Sequence, residues 1–306
     1  MKSYCVQGYG NRLGLNSGRD CRTHMKHAGV EEFLTSRPEA RDCLALLGLF
    51  EGGACARMMA AVLRESDPEG VADLEIVFER ILEDAERAYL LTREGDHWCV
   101  VNEAVEAGFR EIFLDWPVAQ RESCVVGFVR AYTQFAKRIV GLNDLSPVKA
   151  RGRLQSEMTH LSRAVGFAAE ASNWEAARGM LEAMRIGVDG ELAPEDWLFV
   201  LQATGGVCSQ SADSEGRQDF LTWLSEEHAW FELRMGRLHD ARDHAASLEI
   251  KQGGRKDKAG LLRARRLLGT IALARGNYEE AEAYFSVYLK SDLRVEISEK
   301  DGARIV

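Results

Sequence analysis

The chain has 306 residues, 46% of them hydrophobic, and carries 48 acidic against 39 basic side chains for a net charge of −9. That length leaves room for two domains, and the acidic balance excludes bulk attraction to phosphate backbones or anionic lipid, which takes concentrated Lys and Arg. Nucleic acid is therefore not an expected partner, and no apolar run approaches the roughly 20 residues that span a bilayer, so no membrane association is expected.

Five prolines, at 38, 68, 117, 147 and 194, punctuate the chain. Each stands where a helix can begin, because a first-turn N–H has no helical acceptor to lose. Pro38 opens a helix over residues 39–50, which Gly52-Gly53 break. A second helix covers 54–64, and Asp67-Pro68-Glu69 starts a long third that runs to about Ala88. The period then changes. Residues 89–92 and 97–101 are short, aromatic and β-branched, and Arg93-Glu94-Gly95-Asp96 supplies the glycine that a tight hairpin wants. A further helix spans 102–116, and the remainder reads as helical throughout.

The C-terminal third carries a stronger pattern. Leu268 and Gly269 fill the inner face of one helix, Gly276-Asn277 turn the chain, and Tyr278, Ala281 and Phe285 line the return helix. Small residues are needed at Gly269 and Ala281 because helices that cross closely leave no room for larger ones. Forty residues earlier, Ala229, Gly236, Leu238 and Ala241 repeat the arrangement, and Trp174 with Ala177 repeats it again. Lys251 to Lys258 is expected to take up the excess over a 34-residue period as a longer loop. Ser209 to Gly216, rich in Ser, Asp and Gly, is expected to form another loop. These positions resemble tetratricopeptide (TPR) hairpins, which bury their apolar faces only by stacking and which present surfaces to other proteins.

Helix, helix, helix, hairpin, helix is the order of a winged-helix domain. Residues 38–53 and 90–101 resemble the winged helix that follows the nucleotide-binding module of STAND (NB-ARC-like) signalling ATPases. Gly10-Asn11-Arg12-Leu13-Gly14-Leu15 resembles the G-N-P-L-x-L segment of their helical lid, and residues 161–177 resemble the first repeat that follows in such proteins. The resemblance implies a mainly α fold: a helical lid-like segment over 1–36, a winged-helix domain with one β-hairpin over 37–116, and a TPR-like α-α superhelix over 117–306. Two departures limit what it carries over. Asn102 stands where such families often place a nucleotide-reaching His, and Arg12 stands where the lid motif has Pro. No G-x-x-x-x-G-K-[ST] occurs either, so the loop whose backbone N–H groups cradle phosphates is missing, and no cofactor is expected.

Cys21, His24 and His27 step around a helix instead of converging, and His239 and His244 lie about 140° apart on one. No metal site and no catalytic set is expected. Seven cysteines, at 5, 21, 43, 55, 99, 124 and 208, make no C-x-x-C pair and no disulfide framework, which fits a reduced, cytoplasmic setting. The helix over 67–89 carries Asp67, Glu69, Asp73, Glu75, Glu79, Glu83, Asp84 and Glu86 against Arg80 and Arg87, so a DNA groove would repel it. On the repeats, Trp223, Glu226 and Trp230 recur at helical spacing, with Arg263 and Arg266 on the next hairpin. Indole beside guanidinium makes a seat for a peptide with acidic or aromatic anchors. The expectation is a non-enzymatic regulatory or scaffold protein of a signalling or defence system that binds a protein or peptide partner, a separate ATPase or protease among the candidates. A peptide-responsive transcription regulator and an adaptor or inhibitor subunit of a separate enzyme are the alternatives.

Overall fold

In the computed structural model, which describes residues 28–66, 73–188 and 194–289, the helical period of the sequence becomes thirteen α-helices and three short strands. The lid-like segment at 10–15, the Cys21, His24 and His27 set and the expected helix start at Asp67-Pro68-Glu69 lie outside the described residues. The chain divides into two compact units, Met1–Gly190 and Glu191–Val306.

The first unit begins with α1 (Ala28–Ser36), a 3-10 turn at Pro38–Ala40 and α2 (Arg41–Leu47). Cys43 to Leu47 are all buried, and a helix that is apolar all round belongs inside. The helix expected over 39–50 therefore stops at Leu47, and the chain turns through Gly52 and Gly53, both at positive φ. Next comes β1 (Gly53–Ala54), a strand absent from the sequence reading, followed by α3 (Ala56–Ser66) and α4 (Leu74–Arg87). The hairpin is β2 (Leu91–Glu94) and β3 (His97–Val100), closed by a two-residue loop whose first residue, Gly95, sits at φ 68°. The sheet is antiparallel in the order β1-β3-β2. Gly53 pairs with Cys99 and Ala54 with Trp98, so one further step along the register sets Cys55 across from His97.

Helix α5 (Glu103–Leu114) is capped by Asn102, whose side chain accepts the Val105 N–H at 3.0 Å. That is the ordinary work of Asn at a helix start. Three long helices follow: α6 (Val118–Leu145), α7 (Pro147–Glu170) and α8 (Trp174–Val188). Helix α6 packs on α3 through Gly127, where a Cβ would run into the Val62 carbonyl and Ser66. On α7 the buried stripe is Ala150, Leu154, Glu157, Leu161, Ala164 and Ala168, which is helical spacing with one carboxylate in an apolar row.

The second unit holds α9 (Pro194–Ser209), α10 (Glu215–Arg234), α11 (Leu238–Arg255), α12 (Lys258–Ala274) and α13 (Tyr278–Leu289). Ser214 and Asp257 cap α10 and α12 through the Arg217 and Gly260 N–H groups. The extra residues at 251–255 do not form a loop: α11 runs on to Arg255, anchored by the buried Gln252, and Lys256 ends it in the left-handed region. Each helix from α9 onward packs on the next, and α10 also meets α12. The core between them is Ala229, Ala241, Ala245, Leu267, Leu268 and Ile271, with Trp230, Leu233 and Tyr284 packed around it.

Gly269 lies against the Phe285 ring, which a Cβ would meet at 2.9 Å. Replacing Gly269 with Leu should cost about 1–3 kcal/mol through overpacking of α12 against α13. A thermal melt that matches the parent chain would show that the contact is not tight.

Candidate functional site

Glu157 is the carboxylate in the apolar stripe of α7, and its side chain is only 5% exposed. A buried carboxylate is costly unless donors surround it, and three elements supply them. Tyr132 of α6 donates its O–H to Oε2 at 2.6 Å. His97, the first residue of β3, donates Nε2–H to Oε1 at 3.0 Å. His160, one turn along α7, places Nδ1 3.0 Å from Oε2, and the Cys55 thiol, just before α3, stands 4.0 Å from Oε1.

The outer atoms are also engaged. His97 Nδ1 donates to Asp96 Oδ1 at 3.0 Å in the hairpin loop, and His160 Nε2 lies 3.1 Å from the Glu51 carbonyl. Aromatic rings wall the group: Phe50 lies 5.3 Å from the His160 ring and 5.1 Å from Phe128, and Phe128 lies 4.6 Å from Tyr132. Water is thus kept from most of the cluster, which strengthens every charge interaction in it.

The titration of these groups follows. Burial alone would push the Glu157 carboxyl up, but hydrogen bonds from His160, His97 and Tyr132 overcome it and hold the pKa at about 2. The hydrogen bond to Glu157 raises the pKa of His97 against the opposing effect of burial. With carboxylates facing both ring nitrogens, His97 is best satisfied as an imidazolium. Burial, with the Glu157 charge second, pushes the Cys55 thiol up to about 11, so it stays protonated at neutral pH. Burial and the same carboxylate raise the Tyr132 hydroxyl well above its ordinary value. The cluster ties hairpin, α3, α6 and α7 together. It is also the one place among the described residues where Cys, His and Glu bring three ligand atoms within 4.8 Å of one another, at Cys55, His97 and Glu157.

No family model, curated protein or solved structure matches the chain.

The residues expected to bind a partner all fall in the second unit. Trp223 and Glu226 on α10 and Arg266 on α12 are buried, at 5%, 7% and 5% exposure. Trp230 is half-buried against the core, with Arg266 stacked 5.7 Å from its ring centroid. Arg263 keeps 30% of its side chain exposed and reaches Glu226 Oε2 at 3.5 Å. The structure thus brings Arg263 to Glu226 and Arg266 to Trp230 across α10 and α12. His239 is exposed beside Asp243, whereas His244 holds Glu232 Oε2 at 2.7 Å and stacks 5.4 Å from His228.

The Glu157 cluster was not anticipated. Its one local signal is Glu157-x-x-His160 on a single helix face, with the acid at an otherwise apolar position. No helix among the described residues is long and apolar enough to cross a membrane.

Proposed function

We propose that the chain is a non-enzymatic regulatory protein whose helical hairpins hold a protein partner. The observation that carries this reading is the repetition at the turns. In the α10–α11 turn, Gly236 N–H bonds to Leu233 O, Arg237 N–H to Glu232 O and Ala241 N–H to Arg237 O. In the α12–α13 turn, 40 residues on, Gly276 bonds to Leu273, Asn277 to Ala272 and Ala281 to Asn277 in the same way. The α7–α8 turn repeats it at Ser172, Asn173 and Ala177. One such turn is a common helix end. Three, each followed five residues on from its left-handed residue by a buried alanine, read as TPR-like units, and stacks of such units chiefly serve as docking surfaces. In the first unit, the sheet order β1-β3-β2 with its flanking helices supports the winged-helix reading, and the acidic α4 favours protein contact over DNA.

The partner face is that of α10 and α12. There Arg263 keeps 30% of its side chain exposed while paired with Glu226, Arg266 stacks on Trp230 across the same two helices, and Trp223 is buried on α10. Proximity labelling should identify the partner, and binding is then measured with purified proteins. Arg263→Ala should weaken binding about 30-fold, the value of an interface hot spot near 2 kcal/mol. Tyr278→Ala, at an exposed position at the start of α13, should not. Equal binding by the Arg263 variant and the parent would place recognition elsewhere.

A further inference from the structure

We propose that Cys55, His97 and Glu157 form a binding site for a divalent transition-metal ion of the zinc class. The three donors are a thiol, an imidazole and a carboxylate, a set that suits zinc or cobalt and is wrong for magnesium or calcium, which take oxygen. They come from three separate elements: the residue after β1, the first residue of β3, and the middle of α7.

Distances decide whether an ion fits. With zinc–ligand bonds of about 2.0 Å to nitrogen and oxygen and about 2.3 Å to sulfur, a tetrahedral ion holds N and O roughly 3.3 Å apart and S and O roughly 3.5 Å apart. His97 Nε2 and Glu157 Oε1 stand at 3.0 Å, and Cys55 Sγ and Glu157 Oε1 at 4.0 Å. All three atoms lie within 4.8 Å of one another. The two oxygen separations need shifts of a few tenths of an ångström, and the sulfur must draw nearer to the imidazole by up to about 1.2 Å. A turn of roughly 40° about the Cys55 Cα–Cβ bond, or a smaller one shared with a shift of the His97 ring, covers that distance.

The outer contacts are the second and independent observation. His97 Nδ1 is braced by Asp96 Oδ1 at 3.0 Å, the carboxylate–histidine arrangement that fixes a metal-binding imidazole with Nε2 facing the ion. Glu157 Oε2 is taken by Tyr132 and His160, which leaves Oε1 to face the cluster. His97 and Glu157 thus each turn one atom toward the shared point while the other polar atom is held outside it, and Cys55 adds its sulfur. On binding, the ion replaces the proton between Nε2 and Oε1 and the proton of the Cys55 thiol, and both leave to solvent. Three protein donors leave one position of a tetrahedral ion for water. His97, with 18% of its side chain exposed, marks the side from which an ion would enter. The bound ion would fasten the hairpin to α7.

The test is a cobalt(II) titration of chelator-treated full-length protein. A thiolate-to-cobalt charge-transfer band should appear, saturate at one equivalent and vanish when zinc is added. Cys55→Ser should abolish the band while the helical circular dichroism persists, and His97→Gln, at the hairpin rim, should weaken cobalt binding at least tenfold. X-ray absorption at the zinc edge of the loaded parent protein needs no variant. It should show one sulfur at about 2.3 Å and the remaining neighbours at about 2.0–2.1 Å. No saturating band in the parent, a band that survives Cys55→Ser, undiminished affinity in His97→Gln, or a zinc shell lacking sulfur would each overturn the proposal.

Discussion

Replacing Glu157 with Leu should destabilise the first unit by about 3–5 kcal/mol, the usual cost of taking one partner out of a buried charged network. The loss is large because the change strands three donors at once. His97 Nε2–H, His160 Nδ1 and Tyr132 O–H all aim at this carboxylate, and His160 and Tyr132 are shut from water behind the Phe50 and Phe128 rings, while His97 is part-exposed. Swapping a whole buried ionic set for apolar residues is often neutral, but a single removal is not. Glu157→Gln should lie between parent and Leu, since the amide oxygen still accepts one donor while the charge is lost. The measurement is urea unfolding with chelator present, read by hydrogen exchange in β3 and α7. A Leu variant as stable as the parent would mean that the cluster contributes nothing to holding hairpin and helices together.

What the sequence disclosed and what it hid divide along chain distance. The hairpin at Gly95, the Asn102 boundary, the turns at Gly236 and Gly276 and the fit of Gly269 to Phe285 are all local, decided by residues within one turn or one hairpin of each other. The Glu157 cluster joins residues 102, 60 and 25 positions apart, and no periodicity reports on such a meeting. Strand β1 is two residues long and exists only because Gly53 and Ala54 lie beside β3, so it has no pattern of its own to read. The close approach of α3 and α6 at Gly127 is equally non-local. On α10, helical spacing groups Trp223, Glu226 and Trp230 on one stripe, but period alone does not tell whether solvent, a neighbouring helix or a partner covers that stripe. The burial of Trp223 and Glu226 between helices is information that only the fold supplies.

The second unit should lose about 3 kcal/mol of stability between pH 7 and pH 4 through His228 alone. This residue of α10 is 8% exposed, and its Nδ1 has no hydrogen-bond partner. Burial, with the neighbouring His244 second, lowers its pKa from 6.5 to about 4. In the unfolded chain the imidazole takes a proton as pH falls through about 6.5, whereas in the folded unit it resists until about 4. Between those values the unfolded state binds more protons, so stability drops as pH drops; above 6.5 and below 4 this residue adds no slope. A folded-state pKa below the unfolded one thus gives stability that is complete at neutral pH and lost toward acid. The stack on His244, ring centroids 5.4 Å apart, can be kept by an aromatic replacement. His228→Phe should therefore preserve packing yet remove the titration, leaving a flatter stability profile than the parent between pH 7 and 4. Urea melts of both proteins at several pH values, followed by hydrogen exchange in α10 and α11, compare the two slopes directly, and the carboxylates common to both cancel. Parallel profiles would show that His228 is protonated as readily in the folded unit as outside it, and that its burial carries no pH-dependent cost.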